Sequence, residues 1–121
     1  MTRIRILLVG AVAALVAAAP TVAGPQMAPA KLTGSVGPGF TIMLKKGASQ
    51  VRSVKAGRYT ITVSDKSNIH NFHLKGPGVN RVITTTPART TKSVTVTLRK
   101  GTYTYVCDPH ASTMKKTFKV T

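Results

Sequence analysis

Apolar and polar residues alternate in short runs along most of this chain. From Lys31 onward the runs are rich in Val, Ile, Thr, Phe and Tyr, and Gly, Pro or Asn separates them. A period of two predicts β-strands with one buried and one exposed face, and the separating residues predict turns. Beyond the first 23 residues, no window shows the spacing of apolar positions that an amphipathic helix requires. The pattern therefore predicts an all-β domain.

The alternation also predicts which side chains point into the core. Six runs supply inward positions: Phe40, Ile42 and Leu44; Tyr59, Ile61 and Val63; His70, Phe72 and Leu74; Val94, Val96 and Leu98; Tyr103, Tyr105 and Cys107; Phe118 and Val120. Met43 and His73 fall in the opposite phase, so both are expected outside the core. Seven to eight short strands, each with one polar face, predict a sandwich of two sheets.

The first residues differ in composition from the rest of the chain. Arg3 and Arg5 precede an uncharged apolar run, Ile6 to Ala19, and Thr21-Val22-Ala23 is a plausible small-residue cleavage site. This layout is typical of a secretory signal peptide. The apolar run is also shorter than the roughly 20 residues that span a bilayer. We therefore expect an exported protein, periplasmic or extracellular, with an uncleaved membrane anchor as the alternative.

Three parts of the chain follow from these patterns. We expect a signal peptide over 1–23, a flexible arm over 24–30 and one folded domain over 31–121. The arm contains two prolines and shows no periodicity, which favours an irregular segment. The remaining length suits a single domain with one modest core, and we expect a monomer.

The only cysteine lies in the stretch "YVCDPHASTM", residues 105–114. A single Cys107 excludes an intramolecular disulfide, and an oxidising compartment makes an idle exposed thiol a liability. Pro109 ends the strand, so His110 and Met114 are expected on a loop beside the sulfur. His70, at the start of another strand, is a further candidate for the same end of the sandwich.

These four side chains form a selective ligand set. A thiolate with two imidazoles and a weak thioether ligand is the donor set of blue copper, whereas a thioether suits neither calcium nor magnesium. The sequence therefore predicts one Cu(I)/Cu(II) ion at the metal ligands His70, Cys107, His110 and Met114. A site held rigidly by the fold rearranges little on reduction, which favours transfer of single electrons.

The motifs "H-N" on one strand and "Y-x-C-x-x-H-x-x-x-M" near the C-terminus resemble the cupredoxins, in particular their plastocyanin and amicyanin branch. The resemblance extends over nearly the whole domain, from about Lys31 to Thr121. It implies a cupredoxin-like Greek-key β-sandwich that binds one copper ion and shuttles electrons. It also implies the same four ligands that the residue types indicate.

Two further positions match the family pattern. Asn71 matches an asparagine that ties the two ligand-bearing segments together by hydrogen bonds. Pro109 matches a proline beside the cysteine, which removes a backbone N–H donor near the sulfur and so tunes the potential. One departure concerns "HASTM": its spacing lies between those of plastocyanins and amicyanins, which bears on the length of the bond from Met114.

The charge balance of the chain is strongly basic. It has 18 Lys and Arg against two acids, Asp65 and Asp108, for a net charge of +16, of which Arg3 and Arg5 contribute two. Such a surface attracts an acidic redox protein or an anionic envelope surface. Nucleic acid is the less favoured partner, because the basic residues are scattered along an exported chain. Two acids also supply no carboxylate pair, so no catalytic residues and no enzyme activity are expected.

Two other functions stay open at this stage. The same ligands would serve a protein that stores or delivers copper without electron transfer. A basic β-sandwich without metal would serve as an adhesion module for anionic polymers. In that last case Cys107 would be a small buried hydrophobe and Met114 a filler of the core. His73, expected outside, is a candidate second imidazole near the site.

Overall fold

The computed structural model describes residues 10–16 and 27–121. The predicted signal peptide over 1–23 therefore lies largely outside the described residues. Of the predicted arm over 24–30, residues 27–29 have no regular secondary structure, and Ala30 is already the first residue of a strand. Residues 10–16 have no regular secondary structure and are exposed. In the part of the chain that is described, no helix is long and apolar enough to cross a membrane.

Ten strands and one short 3-10 turn follow one another along the described domain. The strands are β1 (Ala30–Val36), β2 (Ile42–Lys46), β3 (Ser49–Gln50), β4 (Ser53–Val54), β5 (Gly57–Asp65), β6 (Phe72–Gly76), β7 (Val79–Thr84), β8 (Thr90–Leu98), β9 (Gly101–Val106) and β10 (Lys115–Val120). The 3-10 turn, Asp108–His110, lies between β9 and β10. Since β3 and β4 have two residues each, eight longer strands remain, as the alternation predicted.

The strands form two five-stranded sheets. One has the order β3-β2-β1-β5-β8, and the other has the order β4-β10-β9-β6-β7. Two pairs are parallel, β1 with β5 and β10 with β4, and the remaining pairs are antiparallel. The predicted all-β sandwich is confirmed.

The core lies between the two sheets and contains nearly all the predicted inward side chains. On β5, for example, Tyr59, Ile61 and Val63 are buried while the residues between them are not. Phe40 is the clear exception, because it precedes β2 and is 62% exposed. Gly39 beside it has a φ of +71°, a conformation that turns the chain and that glycine adopts without strain. The prediction that Phe40 packs in the core is therefore wrong.

The two ends of the sandwich differ. At one end, here called the site end, the loops 37–41, 66–71, 85–89 and 107–114 come together. Strand pairing places them there, because Asp65 at the end of β5 is the register partner of both Val36 and Thr90. The opposite end, here called the turn end, carries the turns that follow β2, β4, β6 and β8, and β1 starts near it.

Candidate metal centre

His70 lies two residues before β6 and is buried at the site end. Its Nε2 lies 2.7 Å from the carbonyl oxygen of Gly39. A carbonyl oxygen only accepts, so this contact requires the proton on Nε2 and leaves the lone pair on Nδ1. That Nδ1 lies 3.6 Å from the sulfur of Cys107. The turn before β2 therefore holds His70 in the tautomer that a metal ligand needs.

Cys107 and His110 come from the segment that follows β9. Cys107 is a buried free thiol, and the half-buried His110 places its Nδ1 3.6 Å from the sulfur. The two histidine Nδ1 atoms are 3.0 Å apart. In the described part of the chain, His70, Cys107 and His110 are the group whose donor atoms all lie within 4.8 Å of one another.

The loop that carries these residues is closed by its own backbone. The His110 N–H donates to the Cys107 carbonyl at 3.0 Å, and Pro109 occupies the start of the short turn between them. Met114 donates its N–H to His110 and accepts at its carbonyl from the Cys107 N–H, at 2.8 and 2.9 Å. Its side chain is buried and belongs to the core cluster. The structure therefore brings all four predicted ligands to the site end.

Two of the three distances between the clustered donors match those around a bound metal ion, and the donor types fit copper. Bonds of about 2.0 Å to imidazole nitrogen and about 2.3 Å to thiolate, the values known for zinc, separate three donors around one ion by roughly 3.5–3.7 Å. Both sulfur–nitrogen distances, at 3.6 Å, have this spacing. The nitrogen–nitrogen distance of 3.0 Å is that of a hydrogen bond from His110 to His70. Two imidazoles and one thiol are also the equatorial donors that type 1 copper requires.

Asn71 joins the two segments that supply the donors. Its side-chain amide donates to the Asp108 carboxylate at 2.8 Å, and its amide oxygen accepts from the Asp108 N–H at 2.7 Å. These reciprocal bonds link the neighbour of His70 to the neighbour of Cys107. The spacing of the donors therefore depends on a side chain outside the donor set.

His73 extends this hydrogen-bond network. The sequence did not predict this role of His73. Its Nδ1 lies 2.8 Å from Asp108, and its Nε2 contacts the side-chain oxygen of Asn80 on β7. Only 12% of the His73 side chain is exposed, less than its phase in β6 predicted, because these partners cover it. His73 is not among the clustered donors, so it supports the loop rather than the ion.

Asp108 is the negative charge nearest to the donors. Burial acts to raise the pKa of this carboxyl, but hydrogen bonds from Asn71 and His73 and the charges of His73 and Lys75 lower it overall. The carboxylate therefore stays ionised as an acceptor for both side chains. No sequence signal marked Asp108 as part of the site, because its partners Asn71 and His73 are more than 30 residues away along the chain.

Phe40, which the alternation placed in the core, lies at the surface beside the two imidazoles. Its ring stands edge-on to both imidazoles, with centroids 5.5 Å from His70 and 5.0 Å from His110. Such edge-to-face contacts stabilise aromatic pairs and restrict ring rotation. The signal in the sequence was "GPGF", where two glycines around a proline place the aromatic residue on a turn rather than a strand.

Comparisons with known proteins agree with this geometry. The sequence profile of the copper-binding proteins of the plastocyanin/azurin family matches residues 47–121, more than half of the chain. Among curated proteins, none matches significantly. The matched residues include all four predicted ligands, from His70 to Met114.

Solved structures share the fold at low sequence identity. A rusticyanin variant is 21% identical with a TM-score of 0.55, over 75% of this chain and 76% of that one. Rusticyanin from Thiobacillus ferrooxidans is 20% identical with a TM-score of 0.52, over the same shares. A chain of a heme-copper terminal oxidase dimer is 18% identical with a TM-score of 0.53, over 75% of this chain and 63% of that one.

The profile match, the two-sheet fold and the donor cluster all indicate one family. The likeness to rusticyanin shows the fold alone, so the plastocyanin and amicyanin branch stays a prediction. The donor set fits a single type 1 copper ion. This chain therefore belongs to the cupredoxins, the plastocyanin/azurin family of copper-binding proteins, and its cofactor is copper.

Proposed function

We propose that this protein is an exported carrier of single electrons, with His70, Cys107, His110 and Met114 as its copper ligands. The observation that carries the proposal is the cluster of two imidazole nitrogens and one thiol within 4.8 Å. Copper held there supplies the Cu(I)/Cu(II) couple. The residues of the chain set the positions of the donors and control access to them.

The first task of the chain is to keep the donors still. His70 is held at Nε2 by the Gly39 carbonyl, and Cys107 is held by its backbone bond to Met114. The Asn71–Asp108 pair fixes the distance between the two segments. Donors that are held in this way move little when the ion changes its charge, which lowers the barrier to electron transfer.

The second task is to provide one route to the surface. His70, Cys107 and Met114 are fully buried, whereas His110 is half-buried. Two exposed apolar side chains of the site end, Phe40 and Ile69, are also at the surface. We assign electron entry and exit to the imidazole of His110, because it is the donor that a docked partner reaches first.

The closed site also argues against catalysis. Burial of three proposed ligands leaves no open approach for a substrate other than the His110 edge. The two acids offer no general acid–base pair, since Asp65 is buried and Asp108 is bound to Asn71 and His73. We therefore assign this protein no enzymatic reaction.

Export and partners rest on sequence and charge. The layout of residues 1–23 favours secretion to the periplasm or cell exterior. A net charge of +16 favours an acidic redox protein or an anionic envelope surface as partner and makes association weaker at high salt. We expect the folded domain over 31–121 to be a monomer. The predicted arm over 24–30 precedes it in the chain.

One set of measurements tests the function. Cu(II) added to the protein is expected to produce an intense thiolate-to-copper absorption, a small copper hyperfine splitting in EPR and a reversible voltammetric wave. The variant Cys107→Ser is expected to lose all three, while Met43→Leu, a methionine on β2 outside the buried core, is expected to keep them.

Two results would contradict the proposal. A colourless protein at full copper occupancy would remove the type 1 site. A coloured protein without a reversible couple that passes Cu(I) to an apo acceptor would instead indicate copper storage or delivery.

A further inference from the structure

The basic residues are unevenly distributed over the domain. Seven exposed Lys and Arg lie in or beside the turns of the turn end, and we call them the basic cluster: Lys46, Arg52, Lys55, Arg58, Arg99, Lys100 and Lys119. Strand pairing shows that they share one end. Lys119 in β10 is opposite the strand β4, and Arg58 in β5 is opposite Thr97, just before the turn with Arg99 and Lys100.

Contacts between the turns tie the basic cluster together across both sheets. The Lys119 N–H donates to the Arg52 carbonyl at 3.0 Å, and the Ala56 N–H donates to the Thr121 carbonyl at 2.8 Å. The Arg99 N–H donates to the Tyr103 hydroxyl, which itself donates to the Pro77 carbonyl. These bonds hold the turns that carry Arg52, Arg99 and the neighbour of Lys55 in fixed positions at this end.

Both acids of the chain lie at the other end. Asp65 is the last residue of β5 and is buried, and Asp108 follows Cys107 and is paired with His73. No acidic side chain therefore faces the basic cluster, since the chain has only these two. The domain has a charge gradient, with its most positive surface at the end away from the metal donors.

The chain also enters the domain at the turn end. Ala30, the first residue of β1, is the register partner of Tyr59 near the start of β5. Met27 and Ala28 line one groove with Ala56, Gly57 and Arg58, the last of which belongs to the basic cluster. In the sequence, the apolar run Ile6 to Ala19 precedes this entry point. A lipid surface next to the turn end would meet the cluster beside the point where the chain enters the domain.

We propose that the basic cluster docks the protein on an anionic phospholipid surface and thereby turns the metal donors away from that surface. The members of the cluster are spread over several turns across one end of the domain, which suits a flat layer of lipid phosphates better than a single peptide segment. Lysine and arginine near an anionic bilayer each strengthen binding roughly fivefold, and the attraction fades within a Debye length. The copper end then stays free for a redox partner.

The orientation rests on the proposed electron-carrier function, but the docking does not. Binding to vesicles is measured without any redox reaction. Loss of the type 1 spectrum would contradict the proposed electron-carrier function but would not change binding to vesicles. Failure of the electron-carrier proposal can therefore be distinguished from failure of the docking proposal.

The test compares two variants of the full copper-loaded chain with equal loss of charge. The turn-end variant carries Lys55→Gln, Arg58→Gln, Lys100→Gln and Lys119→Gln. The site-end variant carries Lys66→Gln, Arg89→Gln, Lys92→Gln and Lys115→Gln. All eight side chains are exposed. Co-sedimentation uses vesicles of phosphatidylglycerol with phosphatidylcholine, at low and high salt, and vesicles of phosphatidylcholine alone report any binding through the apolar run.

We expect the turn-end variant to bind mixed vesicles about two to three orders of magnitude more weakly than the wild type, since four charges are removed. The site-end variant is expected to lose less than tenfold, and high salt is expected to abolish the difference. Equal weakening of the two variants would overturn the docking surface. The docking surface would also be overturned if the wild type bound both vesicle types equally at low salt. That result is expected for a carrier that recognises only an acidic protein.

A second measurement checks the orientation. A neutral soluble reductant, hydroquinone, is expected to reduce the vesicle-bound protein at the same rate as the free protein, because the site end faces solution. A rate at least tenfold slower on mixed vesicles, restored by high salt, would show that the copper end faces the bilayer and would overturn the proposed orientation.

Discussion

Two tyrosines of β9 show how strongly the surroundings of a side chain determine its contribution to stability. Tyr103 and Tyr105 are both fully buried and lie two positions apart on the same face. The Tyr103 hydroxyl donates to the Pro77 carbonyl at 2.7 Å and accepts from the Arg99 N–H at 2.9 Å. The Tyr105 hydroxyl has no hydrogen-bond partner at good geometry among the described residues. The sequence shows the same residue type twice, and the fold gives the two hydroxyls opposite environments.

This contrast predicts opposite effects of one substitution. Tyr103→Phe leaves a buried carbonyl and a backbone N–H without their partner, so we expect it to lower the free energy of unfolding by about 1–3 kcal/mol. Tyr105→Phe removes an unpaired buried hydroxyl and keeps the ring that stacks on Phe72, so we expect a change of less than about 1 kcal/mol. Urea unfolding of both variants measures these changes. An equal loss of unfolding free energy in the two variants would contradict the distinction.

The pH dependence of stability offers a second test at Tyr105. Burial raises the pKa of this phenol, and contacts with the Leu44 backbone and the Gln50 side chain offset only part of the rise. The folded protein keeps the proton while the unfolded chain releases it near pH 10. This contribution to stability is complete below about pH 10 and is lost as pH rises toward the folded pKa.

We therefore expect Tyr105→Phe to be more resistant than the wild type to alkaline unfolding. The two proteins should have similar urea midpoints at about pH 8, and the variant should have the higher midpoint at about pH 11. Lysine deprotonation affects both proteins equally, so the comparison isolates the phenol. A constant difference between the two midpoints over this range would refute the assignment.

At the scale of elements, the site depends on strands that contribute no ligand. Asn80 on β7 contacts His73 on β6, and His73 holds Asp108 beside Cys107. The hydrogen bonds therefore run from an edge strand across the sheet to the loop that carries the sulfur. Register contributes to this, because Asn80 pairs with Lys75, two positions from His73 on the same face of β6, and Val106, the partner of His73 on β9, lies two residues before Asp108.

We expect His73→Leu to disturb the copper loop although His73 is no ligand. Loss of the bonds to Asp108 and Asn80 should lower thermal stability by about 1–3 kcal/mol and shift the thiolate-to-copper absorption. His73→Asn keeps a side-chain N–H donor near the position of Nδ1 and should restore most of the spectrum.

The matched control is Lys75→Gln, whose ammonium lies 3.9 Å from Asp108 on the exposed side. An exposed pair of this kind contributes less than about 1 kcal/mol, so the spectrum should not move. If His73→Leu leaves both stability and absorption unchanged, the network does not position the loop.

On the scale of the whole molecule, the metal joins segments that lie far apart in the chain. His70 comes from the loop before β6, and the other proposed ligands come from the loop between β9 and β10. An ion that binds only the folded arrangement adds its binding free energy to stability. The copper-loaded protein is therefore expected to be more stable than the apo form.

Calorimetry of the two forms gives the size of this effect. At a free copper concentration about a thousandfold above the dissociation constant, the stabilisation should reach about 4 kcal/mol. Removal of copper by a chelator should return the unfolding temperature to the apo value. Cys107→Ser should reduce the stabilisation strongly, and a full effect in this variant would place the ion elsewhere.

Much of this protein could be predicted from local sequence. Strand identity and inward faces follow from an alternation that is read over a few neighbouring residues, as in Tyr59, Ile61 and Val63. The segment from Cys107 to Met114 could also be interpreted, because it is short, closed by its own hydrogen bonds and chemically selective for copper. His70 was accessible through its residue type, its strand position and the Asn71 that follows it.

Only the tertiary structure decided which distant groups meet. The Gly39 carbonyl on His70, the Phe40 ring on both imidazoles and the bond from His73 to Asp108 each join residues 30 or more positions apart. The same holds for the basic cluster, since its members are scattered in sequence and share an end only through strand register. Chain connectivity sets local conformation, whereas packing of the two sheets sets which loops become neighbours.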